Sequence, residues 1–401
     1  MSPSHKAVAL APYLRFVRRW QRIQKALARI EPRLKTTAHV VGYGVGPKYK
    51  KAVQASELAA VFFVDKKVPK GKLKRRDRLP VSIKVGNQVV PTDVARVGQL
   101  KATQQFSGLS GSAENCRKHR PVLMGTSIAV CPLLEDKQVD GGGSSGAVVQ
   151  DKAGQKYVLS VGHLLTNGPD VIQPSKDLGT PAGHNRVAPP PGQPPDPRDN
   201  IGNTKTALNA DIDAGILEAI PSVPQIVHIG KYRPSLLPSP SLTCQKSGAR
   251  TGLTYGTIEY VGVTAFNKFI AGLGVHVPAF ERPGLFFVRN SCSDKPFVDD
   301  GDSGSLIVIG WANTTPESKP NLGTAFEKIL ADLVKFDKVH GRDSERNTRK
   351  AMDRAALGLQ IEVVPIFIPT KPGHASLYPL FGVGQEIDLA LNALQVDLVT
   401  G

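Results

Sequence analysis

Nowhere in these 401 residues do about 18 apolar side chains run together, so no membrane-spanning helix is expected. The longest apolar stretches, Leu58 to Val64 and Leu306 to Trp311, are short. Cysteine is scarce: Cys116, Cys131, Cys244 and Cys292 form no CxxC pair and have no metal spacing with histidine, so they read as buried thiols. No metal or other cofactor is expected, and nothing calls for an oxidising compartment. Acid is missing from the first thirty residues, and the apolar run Ala7 to Ala11 is too short for a secretory signal core. Arg15, Arg18 and Arg19 follow it at once, which fits an organellar transit peptide better; otherwise a cytoplasmic location is the expectation.

What is present describes a folded chain. With 40% hydrophobic and 21% charged residues it can bury one or two real cores, which excludes disorder as the main state. The 39 glycines and 32 prolines favour many turns and short strands over a helical bundle. The formal charge of +17 is concentrated: residues 1–80 carry 20 Lys/Arg against 4 Asp/Glu, leaving the other 321 residues almost neutral. A basic arm on a neutral body suggests that residues 13–78 contact an anionic partner, whether nucleic acid, acidic lipid or acidic protein. A solvated helix face accounts for the charge equally well, since no aromatic-interleaved nucleic-acid motif accompanies it.

From Tyr13 to Ile30, Phe16, Trp20, Ile23, Leu27 and Ile30 recur at helical spacing, with arginine and lysine on the rest of the circumference; Pro32 is expected to close this helix. Residues 36–102 read as a small α/β unit with strands His39 to Gly46, Leu58 to Val64 and Val89 to Gly98, and 103–120 as a linker. From 121 the pattern turns to short strands: Gly125 to Val130, Ser145 to Gln150, Tyr157 to Val161, Ala214 to Ala219, Thr257 to Val263, Leu285 to Val288 and Leu306 to Gly310. Turn residues separate them, as in an antiparallel barrel or sandwich. The proline-rich stretch Gly179 to Gly202 is expected to be a surface loop. Thr324 and Glu327 form a candidate capping box for a helix through Val334; a second helix is expected over Ser344 to Leu357, then a strand Ile361 to Ile368 and a helix Glu386 to Leu394.

Three motifs carry chemistry. Gly301-Asp302-Ser303-Gly304-Ser305 precedes an apolar strand, and a serine flanked by glycines can sit on a tight turn whose amides point at a bound carbonyl. Tyr157 to Val161 runs through Gly162 into His163. Asp211 and Asp213 lead into the small and apolar residues Ala214 to Leu217, and a carboxylate entering a buried strand needs a partner such as the Nδ1 proton of a histidine. The order His163, Asp213, Ser303 is that of chymotrypsin-type enzymes and differs from the subtilisin and α/β-hydrolase orders.

On these motifs the segment 121–335 resembles a trypsin-like serine peptidase of the chymotrypsin fold: Leu159 to His163 is similar to its histidine motif, Asp213 to Ile216 to its aspartate motif and Gly301 to Gly304 to its serine motif. A closer likeness is to bacterial trypsin-like proteins related to the plant narrow-leaf proteins, carried by Val41-Gly42-Tyr43-Gly44-Val45-Gly46-Pro47-Lys48, Phe63 to Lys70, Val90 to Val94 and Gly248 to Thr254. The resemblance implies a mainly β fold with two six-stranded antiparallel barrels, a small N-terminal unit and a mixed extension over 336–401. It implies a protein or peptide substrate and a serine endopeptidase in which His163 is general base and then acid, Asp213 holds its tautomer and Ser303 attacks. The amides of Gly301 and Ser303 would form the oxyanion hole, with Asp211 the runner-up orienting acid.

Several departures from that pattern matter. Leu164 stands where many secreted relatives have cysteine, which argues for an intracellular version, and Cys292 reads as structural. Val40-Val41-Gly42 lies too far before His163 to act as a freed N-terminus, so Asp302 needs another partner. Phe297, six residues before Ser303, would lie at the base of the first specificity pocket and disfavour lysine or arginine there; packed elsewhere it would be an ordinary loop phenylalanine. The strand that relatives place after the serine motif is not evident between Gly310 and Phe326, where Trp311 and the loop Ala312 to Pro320 stand instead. Its loss would leave a catalytically inactive peptidase-fold binding module as the alternative reading.

Overall fold

The computed structural model describes residues 3–50, 53–98, 112–131, 142–166, 170–175, 199–209, 211–266, 282–291, 296–299, 301–310, 352–367 and 380–400. The chain opens with helix α1 (Pro3–Thr36), followed by strands β1 (Val40–Lys50), β2 (Val53–Val64), β3 (Ser82–Val85) and β4 (Gln88–Val97). Next come β5 (Val122–Met124), β6 (Ser127–Cys131), β7 (Gly142–Ser144), β8 (Ala147–Gln150), β9 (Lys156–Ser160) and the single turn α2 (Gly162–Leu165). After these lie β10 (Asp170–Ile172), β11 (Asn200–Asn209), β12 (Asp213–Ala219), β13 (Ser222–Ile226) and β14 (Gly230–Lys231). The last part holds β15 (Thr243–Gly248), β16 (Gly252–Ala265), β17 (Arg282–Asn290), β18 (Leu306–Ile309), β19 (Ala356–Phe367), β20 (Leu380–Glu386), α3 (Ile387–Leu394) and β21 (Asp397–Leu398).

The fold is mainly β. One sheet curls through eight strands in the order β21-β8-β9-β12-β11-β10-β6-β7, while β15-β18-β19-β20-β17-β16 closes on itself through β15–β16 pairing into a six-stranded barrel. This closed barrel beside a curled half-barrel is the chymotrypsin-like double-barrel arrangement. The second sheet closes again: β16 also pairs β1, β1 pairs β2, β2 runs parallel to β4, and the end of β4 meets the end of β19 at Val97↔Ile366. The long strands β16 (14 residues) and β19 (12 residues) therefore serve two rings stacked along their length.

This topology differs from the sequence reading at four places. After the end of α1, the described residues of the 36–102 segment form strands and two short 3-10 turns, with no further α-helix, and their sheet is continuous with the barrel rather than a separate unit. The boundary drawn at 335 cuts through one ring, because β19 and β20 lie between β18 and β17. The supposed linker folds onto the body at its second half, where buried Asn115 donates to the Gly125 carbonyl (2.6 Å) and the Ser247 hydroxyl (2.8 Å). Pro32 does not end α1, which continues to Thr36. One missing amide is outweighed by the anchoring of the last turn: Leu34 is buried, Glu31 pairs with Lys35 at 2.8 Å, and the Thr37 hydroxyl donates to the Arg33 carbonyl at 2.8 Å. Most of the proline-rich stretch, the 324–334 helix, Trp311, Cys292 and most of the 344–357 helix lie outside the described residues; Ala356 and Leu357 belong to β19.

Leu58 to Val64 is apolar without interruption because both faces of β2 are covered. Ala59, Val61 and Phe63 enter the core shared with the curled sheet, whereas Leu58, Ala60, Phe62 and Val64 pack with Phe16, Trp20, Ile23 and Leu27 of α1. Arg15, Arg18, Arg19, Arg22, Lys25 and Arg29 remain exposed on the other side of that helix. Among the described residues no helix is long and apolar enough to cross a membrane.

Candidate active site at the junction of the two sheets

β9 ends at Ser160 and the chain turns directly into α2, which carries His163. The turn demands glycine at 162, since a Cβ there would lie 1.7 Å from the Leu208 carbonyl oxygen of β11. His163 is then held twice by the first residue of β12. Its backbone amide donates to Asp213 Oδ1 at 2.9 Å and its Nδ1 lies 2.8 Å from Asp213 Oδ2. Asp213 is wholly buried, while the imidazole is 34% exposed. Asp211 is exposed, and its carbonyl accepts from Gln385 Nε2 at 3.1 Å.

The second barrel supports that carboxylate from beneath. The Asp213 amide donates to Gln385 Oε1 at 2.8 Å, and the buried Arg282 guanidinium stands 3.6 Å from Oδ2. Burial alone would push the Asp213 carboxyl upward. The His163 charge and hydrogen bonds, with Arg282 adding to them, outweigh burial and hold it down at about 2. The pair therefore keeps an anion on Nδ1 and orients Nε2 away from it.

Ser303 comes from the opposite sheet. It sits half-buried on the turn before β18, between Gly301 (φ 94°) and Gly304 (φ 93°). Those left-handed values favour glycine, and a Cβ on Gly304 would lie 2.3 Å from the Ser144 carbonyl oxygen. Bonds to both sheets fix the turn. Ser144 of β7 donates its amide to the Ser303 carbonyl (2.7 Å) and its hydroxyl to the Gly301 carbonyl (2.9 Å), and the Gly304 amide donates to the Gln360 carbonyl of β19 (2.8 Å). The Ser160 hydroxyl, three residues before His163, donates to the Ser144 carbonyl at 2.9 Å, so the histidine and serine turns share one support. The Ser303 hydroxyl itself donates to the Ile361 carbonyl at 3.2 Å. Among the described residues no acceptor takes the amides of Gly301 or Ser303.

Asp302 finds its partner inside the barrel. Lys246 Nζ of β15 lies 2.9 Å from Asp302 Oδ2, with both side chains wholly buried. The Thr251 hydroxyl and the Asp299 amide also donate to Oδ2, at 2.7 and 3.0 Å, and the amides of Arg250 and Thr251 donate to Oδ1, at 2.9 and 3.0 Å. Phe297 is 1% exposed, packed between Gly256 and Gly382, with its ring centroid 5.5 Å from the Lys246 ammonium. It closes the barrel over that ion pair.

Residues 311–326, where no strand is evident in the sequence, lie outside the described residues; among the described residues the strand beside the serine turn is β19. It pairs β18 through Leu306↔Leu359, more than forty residues later in sequence, and on the same side meets β4 from Ile366 onward. Between these contacts, residues 362–365 pair only with β20 among the described residues, which leaves one backbone edge beside Ser303 without a described partner strand. Sequence reasoning missed Gln385, Arg282 and Lys246. Lys246 had a usable signal, a lone cation in a run of small and apolar residues in a chain where Asp302 lacked a partner. The other two carried none.

Solved structures similar to this chain include Thermobifida fusca protease A, at 14% identity and TM-score 0.37 over 70% of this chain and 98% of that one. A glutamic acid-specific serine protease matches at 15% identity and TM-score 0.38 over 69% and 100%, and Cellulomonas bogoriensis chymotrypsin at 12% and 0.37 over 70% and 99%. No protein-family model matches the chain, and no curated protein matches it.

Proposed function

We propose that the chain is a serine endopeptidase acting on protein or peptide substrates through His163, Asp213 and Ser303. The observation that carries this reading is the anchoring of His163 by a buried, ionised Asp213 at the junction where a glycine-flanked serine faces a strand edge without a described partner. An extended substrate adds to residues 362–365 as another strand, which presents its carbonyl to Ser303. The Ser303 hydroxyl rotates from the Ile361 carbonyl towards Nε2 of His163, which accepts its proton as the oxygen attacks. The resulting imidazolium is stabilised by Asp213 and returns the proton to the leaving amine, and water then hydrolyses the acyl-enzyme by the same route. The free amides of Gly301 and Ser303 receive the oxyanion, a contribution of about 3 kcal/mol per donor in such sites. Phe297 is packed inside the barrel at 1% exposure and does not act as the floor of the first specificity pocket.

Turnover on a broad peptide library tests the proposal. Cleavage is expected from the native chain and none above background from Ser303→Ala. Cleavage that survives this substitution, or an inert native chain with correctly folded strands, refutes it.

A further inference from the structure

The loop between β2 and β3 folds over β2 and β4 and forms a half-open cavity of about 380 Å³. Its apolar lining is Val64 and Val94 from the strands, with Val68, Leu73 and Leu79 from the loop. Lys66, Lys67, Lys70 and Arg78 also line it. Val81, one of few large apolar side chains left open to water at 74% exposure, lies on the same lining.

Two carboxylates, Asp77 and Asp93, line the cavity too, and they and Asp65 are already engaged. Asp93 accepts the amides of Tyr49 and Val94, each at 2.8 Å; Asp77 accepts the Ala38 amide at 3.3 Å; and Asp65 holds His39 Nδ1 at 2.9 Å. Among the described residues none of the four lining cations has a carboxylate at ion-pair distance. Burial lowers the Lys67 ammonium from its usual range, with Asp93 opposing the shift at longer range. Lys72, Lys74, Arg75 and Arg76 stand on the same loop, and Arg33 of α1 ties it to the helix by donating to the Arg78 carbonyl at 3.0 Å. A half-open cavity with an apolar lining and four cations against two hydrogen-bonded carboxylates favours a ligand that brings its own negative charge and an apolar body.

We propose that this cavity binds an amphipathic anion, a single carboxylate or phosphate head on an apolar chain. The chain lies against Val64, Val68, Leu73, Leu79 and Val94 and covers Val81, while the head is held by Lys66, Lys67, Lys70 and Arg78. An outward-facing helix stripe such as that of α1 attracts any polyanion, whereas this cavity also selects for the apolar part.

Titration calorimetry of the full chain with decanoate, decyl phosphate, decanol and inorganic phosphate separates the contributions. Both anionic amphiphiles are expected to saturate one site, each at least about tenfold tighter than decanol or phosphate alone. The exposed double variant Lys67→Gln/Lys70→Gln is expected to weaken them by about tenfold or more with an unchanged melting curve, and added salt should weaken them further. Leu73→Ser provides the apolar control and should weaken decyl phosphate but not inorganic phosphate. Equal binding of decanol, equal binding of inorganic phosphate, unchanged affinity in the lysine variant or no saturable binding would each overturn the proposal. So would capture by phosphatidylserine vesicles that decanoate fails to displace, which would place the anion on a lipid surface instead.

Discussion

Asp213 and Asp302 are both wholly buried carboxylates, one on each side of the junction, and they are held in opposite ways. Asp213 faces an imidazole that is 34% exposed, with Arg282 at 3.6 Å behind it. Asp302 faces a lysine as buried as itself and accepts four further hydrogen bonds, three of them from backbone amides. The first arrangement leaves one partner able to gain and lose a proton in contact with solvent. The second fixes a turn. A buried charge thus supports either proton transfer or rigidity, according to whether its counter-ion reaches water.

The sharpest way to break this contrast is to neutralise each acid in turn. Asp213→Asn leaves the backbone contact to His163 in place but favours the wrong tautomer, so kcat/KM should fall by about ten-thousand-fold while stability falls by only about 2 kcal/mol, the contribution of the charge at neutral pH. A loss of stability well beyond that in urea would show that Asp213 is structural. Lys246→Met does the reverse: it strands the Asp302 charge in the barrel and should cost about 3–5 kcal/mol in equilibrium unfolding. An unfolding midpoint unchanged by Lys246→Met would show that Asp302 is held by its amide and hydroxyl donors alone.

A third buried carboxylate extends the comparison. Glu259 of β16 is pushed by burial up to about 7 from an ordinary 4.5, with Arg289 at 3.2 Å opposing the shift in part. Because the folded state holds this proton more tightly than the unfolded chain, stability should decline by about 3 kcal/mol as pH rises from 4.5 to 7. Glu259→Gln should abolish that decline in melting curves taken across the interval; a decline that persists in the variant would assign it to another group. Asp213 works in the opposite direction. Its lowered value contributes about 2 kcal/mol that is present above pH 3.8 and lost as pH falls towards 2, so Asp213→Asn should flatten the acid limb.

Much of this was legible in sequence where a requirement is local. Gly162 before His163, and Gly301 and Gly304 around Ser303, are needed by the turns they occupy, so the motifs announce themselves. The alternation of α1 and the short strands of the barrels follow from periodicity in the same way. Gln385 was not legible, because its bond to Asp213 spans 172 residues and a glutamine in a strand carries no local signature. The place of β19 was obscured for a related reason: its neighbour β18 ends more than forty residues earlier, so adjacency in the sheet is not adjacency in sequence. Pro32 shows the converse failure, a local rule overridden by the packing of Leu34 and the pairing of Glu31 with Lys35.

The most direct test of the central claim is the rate of covalent labelling by a fluorophosphonate, with the adduct located by mass spectrometry in the native chain and in His163→Ala. The account predicts one adduct, on Ser303, forming at least about a thousandfold more slowly without the imidazole. Absence of any adduct on the folded native chain, or labelling of Ser303 at an unchanged rate in the variant, would contradict it.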